Sequence, residues 1–150
     1  MAELTRPGLS VVLCGASPDA LDALVPPGHG ARTCRTAPDE ALSVCPAEVA
    51  ADVARELEDR VAALDDDAVV LDVSDGWTAW RLTGPDSRDA FAYASRLALP
   101  DEGFVQGSVA HVAAKVVVEA DALTVLVPAY WHDHVRERLI HDARVTEAIP

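Results

Sequence analysis

The chain repeats one local pattern twice, and this repeat constrains its fold more than any other feature. Residues 40–57 read EALSVCPAEVAADVAREL, and residues 121–139 read DALTVLVPAYWHDHVRERL. With a one-residue gap, each copy reads as an apolar strand, then Pro-Ala, then a helix that ends in an Arg-Glu-Leu-like turn. Similar strand, turn and Pro-Asp helix-start segments precede the two copies. The sequence therefore predicts two β-α-β-β-α pseudo-repeats, at about 10–64 and 77–143.

These pseudo-repeats predict an α+β fold. One more strand would complete each β-α-β-β-α unit as a ferredoxin-like half, with helices covering one face of an antiparallel sheet. Val69–Val73 is predicted as a strand that joins the units, and Asp75-Gly76 as a hairpin turn into the strand Trp77–Thr83. A length of 150 residues favours a single domain over 1–150. Duplication and convergence both stay open as origins of the repeat, because strand-turn-helix punctuation is common.

The second half of the chain is predicted in more detail. Its pattern indicates a helix from Gly84 to about Leu97, a loop over Pro100–Gly107 and one long strand over Ser108–Glu119. The last helix is predicted over roughly Tyr130–Ala143. Its spacing places three apolar residues on one inward stripe: Trp131, Val135 and Leu139.

Charge excludes two classes of partner. Twelve Lys and Arg residues stand against 25 Asp and Glu, a net charge of −13. Such a field repels phosphate, so we expect no nucleic-acid partner and no anionic membrane partner. No apolar run approaches the roughly 18 residues of a membrane-spanning helix. The first residues lack a basic segment followed by an apolar one, so we expect no signal peptide and a cytoplasmic location.

The sequence predicts no catalytic, cofactor-binding or metal site. Cys14, Cys34 and Cys45 are an odd number without C-x-x-C spacing, and we expect them to be buried as small apolar groups. No G-x-S-x-G nucleophile elbow and no glycine-rich phosphate loop is present. Nucleophilic and nucleotide-dependent chemistry therefore find no support.

Histidines and acidic residues are the remaining candidates for chemistry. His132 and His134 lie at i and i+2 of a helix and do not face each other, and His141 lies two turns beyond, so we expect solvated side chains. His111 is predicted on an outward strand face beside Lys115. Two acidic segments, Asp65-Asp66-Asp67 and Asp72 to Asp75, lack the EF-hand pattern and are assigned to loop and turn chemistry.

An interaction surface is better supported. Every aromatic residue lies in the second half of the chain. Val116-Val117-Val118 is apolar on both faces, whereas a small α+β sheet normally leaves one face to solvent. Aromatic residues are enriched in the cores of protein interfaces. We therefore predict a partner-covered surface, with ordinary core packing as the alternative, formed by Trp77, Trp80, Phe104, Val117 and Trp131.

Four motifs in a fixed order point to a known family. They are a PDE-x-L-x-V strand (Pro38–Val44), the D-V-S-D-G segment (Asp72–Gly76), the L-x-G-P-D-x-R-D helix start (Leu82–Asp89) and a G-F-x-x-G loop (Gly103–Gly107). In kind and order they resemble the gamma subunit of heterotetrameric sarcosine oxidase, over about residues 32–143. The segment RLTGPDSRDAF is also similar to the aminomethyltransferase (glycine-cleavage T) folate-binding fold. The barrel domain and a long hairpin of that family are missing, so no folate-binding residue is carried over.

The resemblance implies a non-catalytic subunit that stabilises a complex. It implies a large folate-binding alpha-type subunit and a flavin-containing beta-type subunit as partners. FAD, FMN, NAD and tetrahydrofolate are expected in those partners and none in this chain. The complex would oxidatively demethylate sarcosine or another N-methyl amine. Two alternatives stay open: a standalone small folate or one-carbon-unit binding domain, and a homodimeric ferredoxin-like ligand-sensing domain.

Overall fold

The chain divides into two compact units. The computed structural model describes residues 1–143 and 145–147. Gly8–Ser74 forms the four-stranded unit, and Met1–Pro7 with the residues from Asp75 onward forms the six-stranded unit. The expectation of a single domain over 1–150 stays a prediction. Within the described residues, no helix combines the length and apolar character needed to cross a lipid bilayer.

The strands and helices follow the order β-α-β-β-α-β in the first half of the chain and β-α-β-β-β-α in the second, which has one strand more than the repeat predicts. In chain order the strands are β1 (Glu3–Thr5), β2 (Leu9–Gly15), β3 (Arg32–Ala37), β4 (Glu40–Pro46), β5 (Val69–Asp72), β6 (Trp77–Thr83), β7 (Gly103–Val109), β8 (Val112–Glu119), β9 (Ala122–Pro128) and β10 (Thr146–Glu147). The helices are α1 (Pro18–Ala23), α2 (Ala50–Ala62), α3 (Ser87–Ala94) and α4 (His132–Ala143). Both copies of the repeated segment take the same local structure. In each, a 3-10 turn follows the strand and leads into the helix, from β4 into α2 and from β9 into α4.

The four-stranded unit is ferredoxin-like. Its elements follow the order β2-α1-β3-β4-α2-β5, and its strands lie side by side as β3-β4-β2-β5, all antiparallel. The apolar stripe of α2, Val53, Leu57 and Val61, is fully buried. It packs against apolar side chains of β2 and β4, Val12 and Cys45 among them. The predicted α+β class is confirmed here.

The six-stranded unit buries the larger core. Its strand order is β10-β1-β6-β9-β8-β7, and only the short β1–β10 pair is parallel. Helices α3 and α4 lie on one face of this sheet, because their inward residues Phe91 and Leu139 share a core with alternate residues of β6, β8 and β9. That core includes Trp80, Leu82, Val116, Val118, Leu123 and Val125. The antiparallel sheet with helices over one face is therefore as predicted.

The predicted loop over Pro100–Gly107 and long strand over Ser108–Glu119 are wrong. Residues 103–119 instead form a hairpin of β7 and β8, in which Val109 pairs with Val112. The two turn residues, Ala110 and His111, have φ of 50° and 66°. Such turns normally carry Asn-Gly or Asp-Gly, so Ala-His gives no turn signal in the sequence.

The predicted hairpin at Asp75-Gly76 is also wrong. Strand β5 pairs with β2, whereas β6 pairs with β1 and β9, so the two strands belong to different sheets. A 3-10 turn over Ser74–Gly76 connects them.

Helix α3 ends at Ala94 rather than at Leu97, because Ser95 is extended and its hydroxyl donates to the Ser108 carbonyl at 2.7 Å.

Gly84 is required where β6 leaves the sheet. Its φ is +97°, and a Cβ at this position would lie 2.7 Å from the carbonyl oxygen of Met1. We expect Gly84→Ala to lower the free energy of unfolding by about 2 kcal/mol or more, because both backbone strain and a clash with fixed backbone result. Gly76 is the matched control, since its added Cβ meets nothing within 4 Å. Gly76→Ala should leave stability unchanged or raise it by up to about 1 kcal/mol. Urea denaturation followed by circular dichroism compares the two, and equal effects would contradict the account.

Candidate interaction surface

Two large aromatic side chains are exposed where β9 leads into α4. The 3-10 turn Ala129–Trp131 follows Pro128 and presents Tyr130 and Trp131 side by side. Tyr130 is 81% exposed and Trp131 40% exposed, and their ring centroids lie 5.5 Å apart. Single exposed apolar residues are ordinary, whereas adjoining ones form a candidate contact surface. Tyr130, Trp131 and the neighbouring His134 are called the aromatic patch below.

Two histidines anchor this turn to the sheet. The His134 ring meets Trp131 edge-on at 5.5 Å, and its Nε2 lies 2.9 Å from the Ala110 carbonyl oxygen, to which it donates. The His132 ring stacks on Trp80 with centroids 4.8 Å apart, and its Nδ1 lies 3.1 Å from the Thr78 hydroxyl. The expectation that these histidines are solvated is therefore wrong. Both are half-buried and hydrogen-bonded, because α4 lies closely on the hairpin and on β6.

The five residues predicted at an interface do not share one surface. Trp80 lies on the helix-covered face of the sheet and is 2% exposed. Trp77, Phe104 and Val117 lie on the opposite face, where Phe104 and Val117 are register partners. The Lys115 ammonium sits 5.3 Å from the centre of the Trp77 ring. Only Trp131 belongs to the aromatic patch, and the interface role of the five stays a prediction.

Sequence reasoning missed the most exposed aromatic residues. Tyr130 and Tyr93, 81% and 70% exposed, were not among the predicted interface residues. The predicted inward stripe holds for Val135 and Leu139, which are fully buried, but not for Trp131. The reason is that α4 begins at His132, one residue after Trp131, so the helical period does not extend to that residue. Pro128 interrupts the helical spacing of apolar residues, and this interruption could have indicated that Trp131 lies before the helix.

The three cysteines are buried, as expected. Burial raises the pKa of the Cys34 thiol to about 11, although Arg32 lowers it in part. Burial also raises the pKa of Cys14 and Cys45, and the carboxylates of Asp72 and Glu48 raise the Cys45 value further. A raised pKa leaves little thiolate, which is the reactive form.

We expect the native chain to react slowly with a thiol reagent such as DTNB at pH 8. Two factors slow the reaction: the thiols are buried, so the reagent cannot reach them, and they are protonated at that pH. In denaturant all the cysteines should react within the mixing time. Rapid reaction of the native chain would show that a thiol is accessible and would contradict this placement.

The acidic segments serve local structure, as predicted. An Asp65 carboxylate oxygen accepts the Ser17 N–H at 2.7 Å at the start of α1, and the other accepts the Asp67 N–H at 2.9 Å. These bonds lower the pKa of Asp65. Asp72 accepts from the Ser74 hydroxyl and N–H, which lowers the pKa of Asp72. Among the side chains that the structure describes, no three metal-ligating groups come together in a way that could hold an ion.

Solved structures show the same arrangement of strands and helices. The chain is similar to a chain of heterotetrameric sarcosine oxidase from Corynebacterium sp. U-96, with a TM-score of 0.78, 16% identity, and coverage of 95% of this chain and 84% of that one. The chain has the fold of a sarcosine oxidase subunit. The resemblance inferred from the four motifs is therefore confirmed at the level of the fold.

Two further structures are similar. Glycine cleavage system aminomethyltransferase T from Bartonella henselae gives a TM-score of 0.70 at 16% identity, and the match covers 98% of this chain but 47% of that one. The chain thus spans about half the length of that transferase. The regulatory subunit of aspartate kinase from Thermus thermophilus gives a TM-score of 0.55 at 12% identity, over 95% of this chain and 97% of that one. No protein-family model matches the sequence, and no curated protein does.

Proposed function

We propose that this chain is a gamma-type subunit that stabilises a heterotetrameric sarcosine oxidase-like complex and takes no direct part in its chemistry. The observation that supports this most is the similarity at a TM-score of 0.78 over 95% of this chain and 84% of the sarcosine oxidase chain. A similarity along nearly the whole of two chains supports equivalent subunits of equivalent size. The aminomethyltransferase match, which covers 47% of that protein, supports a shared fold segment only.

The described side chains fit a non-catalytic role. Thr78 and His132 form a hydroxyl–imidazole pair at 3.1 Å, but Thr78 is 6% exposed, so substrate does not reach its hydroxyl. A catalytic nucleophile needs both an activating base and access to substrate. The thiols are buried and protonated at neutral pH. Within the described part of the chain, neither kind of group is equipped for nucleophilic catalysis.

The chemistry of the proposed complex therefore falls to its partners. A large folate-binding alpha-type subunit and a flavin-containing beta-type subunit would hold FAD, FMN, NAD and tetrahydrofolate. They would oxidatively demethylate sarcosine or a related N-methyl amine, a reaction of one-carbon metabolism. A cytoplasmic location is part of this proposal.

The aromatic patch is the proposed contact with the large subunit. Interface hot spots are enriched in Trp and Tyr, because a large rigid ring covers much area at small entropic cost. Tyr130 and Trp131 are such rings, and His134 fixes Trp131 against the β7–β8 turn. A partner that covers the patch would remove these two exposed rings from water and gain free energy from doing so.

A second candidate function is a homodimeric ligand-sensing domain. The similarity to the aspartate kinase regulatory subunit favours it, since the match covers 97% of that chain. Its TM-score of 0.55 is lower than the 0.78 for sarcosine oxidase, so the gamma-type proposal is preferred. The two differ in assembly, because the sensing domain would pair with itself through an isologous interface.

Affinity purification of the tagged full chain from its native host tests the proposal. We expect larger flavin-containing proteins to co-purify at a fixed ratio, identified by mass spectrometry and by visible flavin absorbance. A chain recovered only as its own dimer would favour the ligand-sensing function. A chain recovered alone as a monomer would contradict both.

A further inference from the structure

A cleft lined by basic side chains lies beside the aromatic patch. The end of α3, the β7–β8 turn and α4 line an open cleft of about 710 Å³. Its described lining has no carboxylate, although the chain carries 25 Asp and Glu against 12 Lys and Arg. Its polar lining residues are Tyr93, Ser95, Arg96, Ser108, His111 and Arg138. The described lining therefore carries basic side chains and no acidic ones, on a chain that is strongly acidic overall.

Hydrogen bonds fix the β7–β8 turn at the edge of this cleft. Ala110 and His111 have φ of 50° and 66°, a conformation unfavourable for residues with a side chain. A two-residue hairpin turn requires this conformation at both of its central residues. The Ala110 N–H donates to the Ala94 carbonyl at 2.7 Å, and the Ala110 carbonyl accepts from His134 Nε2 at 2.9 Å. These two bonds hold His111 at the edge of the cleft before any ligand arrives.

Arg96 is a cation of the cleft whose hydrogen-bond donors are not used by other described residues. It is exposed, and it forms no hydrogen bond or ion pair with any residue in the described part of the chain. A guanidinium presents a planar fork of N–H donors that matches a carboxylate. Arg96 is therefore suited to receive a carboxylate from outside the chain.

We propose that the cleft and the aromatic patch together receive an acidic segment of a protein partner. Its carboxylates would lie beside Arg96, with an apolar side chain against Tyr93. This inference rests on the proposed function, in that the segment would belong to the large partner subunit. The inference adds to the proposed function the kind of contact, which is made by a carboxylate-rich segment of that partner.

Two observations favour a protein segment over a small molecule. Small-ligand pockets bury roughly 70–90% of their ligand, whereas this cleft is open and its rim residue Tyr93 is 70% exposed. The cleft also continues into the aromatic patch, because Ala110 lines the cleft and accepts the hydrogen bond from His134. Tyr, Trp and Arg together are the residues most enriched in interface hot spots.

Titration of the ¹⁵N-labelled full chain, followed by amide chemical shifts, tests the cleft directly. The probe is a ten-residue glutamate peptide with one central phenylalanine, and free glutarate is the small-anion comparison. We expect shifts confined to residues 93–97, 108–111 and 130–138, and peptide binding about fivefold or more weaker in Arg96→Glu and Arg96→Gln. Arg6→Glu is the matched control, since Arg6 is exposed and carries the same charge change outside the cleft; its affinity should stay within about twofold of wild type. Shifts elsewhere, unchanged affinity in the Arg96 variants, or glutarate binding equal to peptide binding would overturn the proposal.

Recovery of partner subunits separates this inference from the proposed function. Tagged wild type, Arg96→Glu and Arg6→Glu chains are purified from the native host in parallel. We expect Arg96→Glu to recover at least about fivefold less of the large subunit than Arg6→Glu does. Equal recovery of the large subunit by the two variants would overturn the proposed role of the cleft but would not contradict the gamma-type function. Failure of the wild type to recover any partner would overturn that function, and the peptide titration would still decide whether the cleft binds an acidic segment.

Discussion

Replacement of Trp80 with alanine is expected to lower the free energy of unfolding by about 3–5 kcal/mol. Trp80 is 2% exposed, lies in the core of the six-stranded unit and stacks on His132 at 4.8 Å. Alanine would leave a cavity between β6 and α4 and would remove the ring on which His132 rests. Guanidinium denaturation followed by far-ultraviolet circular dichroism measures the loss. The same measurement decides whether Trp80 acts in the core or at an interface.

Two variants make this measurement specific. Trp131→Ala is the same change at a 40% exposed ring, and we expect it to cost less than about 1 kcal/mol. Trp80→Phe keeps a ring on His132 and removes an indole N–H that has no hydrogen-bond partner in the described part of the chain. We expect it to cost less than half as much as Trp80→Ala, because leaving a buried donor unpaired is itself unfavourable. An equal cost for Trp80→Ala and Trp131→Ala would contradict the assignment of core and surface.

The double variant Tyr130→Ala/Trp131→Ala is expected to reduce recovery of the partner subunits by about thirtyfold or more. A single hot-spot truncation typically costs about 2 kcal/mol of binding free energy, which corresponds to about that factor. Both rings lie on the surface, so the folded chain should keep its circular dichroism spectrum. Recovery from the native host at equal amounts of bait gives the ratio.

The control removes exposed apolar side chains from the other unit. Val25 and Leu64 lie in the four-stranded unit and are 63% and 45% exposed. Val25→Ala/Leu64→Ala should recover the partners as wild type does. If this control loses the partners and the aromatic double variant keeps them, the contact lies on the four-stranded unit and the aromatic patch is not the interface.

The pattern of apolar residues was enough to predict much of the fold. In both repeated segments an apolar strand runs into Pro-Ala, and in both the proline ends the strand and opens a 3-10 turn before the helix. Proline has no N–H to continue a sheet ladder and fixes φ for a turn, so the signal is physical and local. Helical period alone also places Val53, Leu57 and Val61 on one face of α2, and that face is the buried one.

The sequence pattern could not predict features that depend on contacts between residues far apart in the chain. Strand β1 has three residues, too few to show a period, yet it takes the place beside β6 that β5 takes beside β2. The turn at Ala110-His111 depends on two hydrogen bonds to residues distant in sequence. The cleft likewise brings together Arg96, His111 and Arg138 from three separate segments of the chain. None of these follows from neighbours along the chain.

The mass of the intact assembly purified from the native host is the most direct test of the central claim. Native mass spectrometry should show one copy of this 15.9 kDa chain bound to larger subunits that carry flavin. After denaturation the flavin should be found free or on the larger subunits, with none bound to this chain. A mass equal to one or two copies of this chain alone would contradict a gamma-type role.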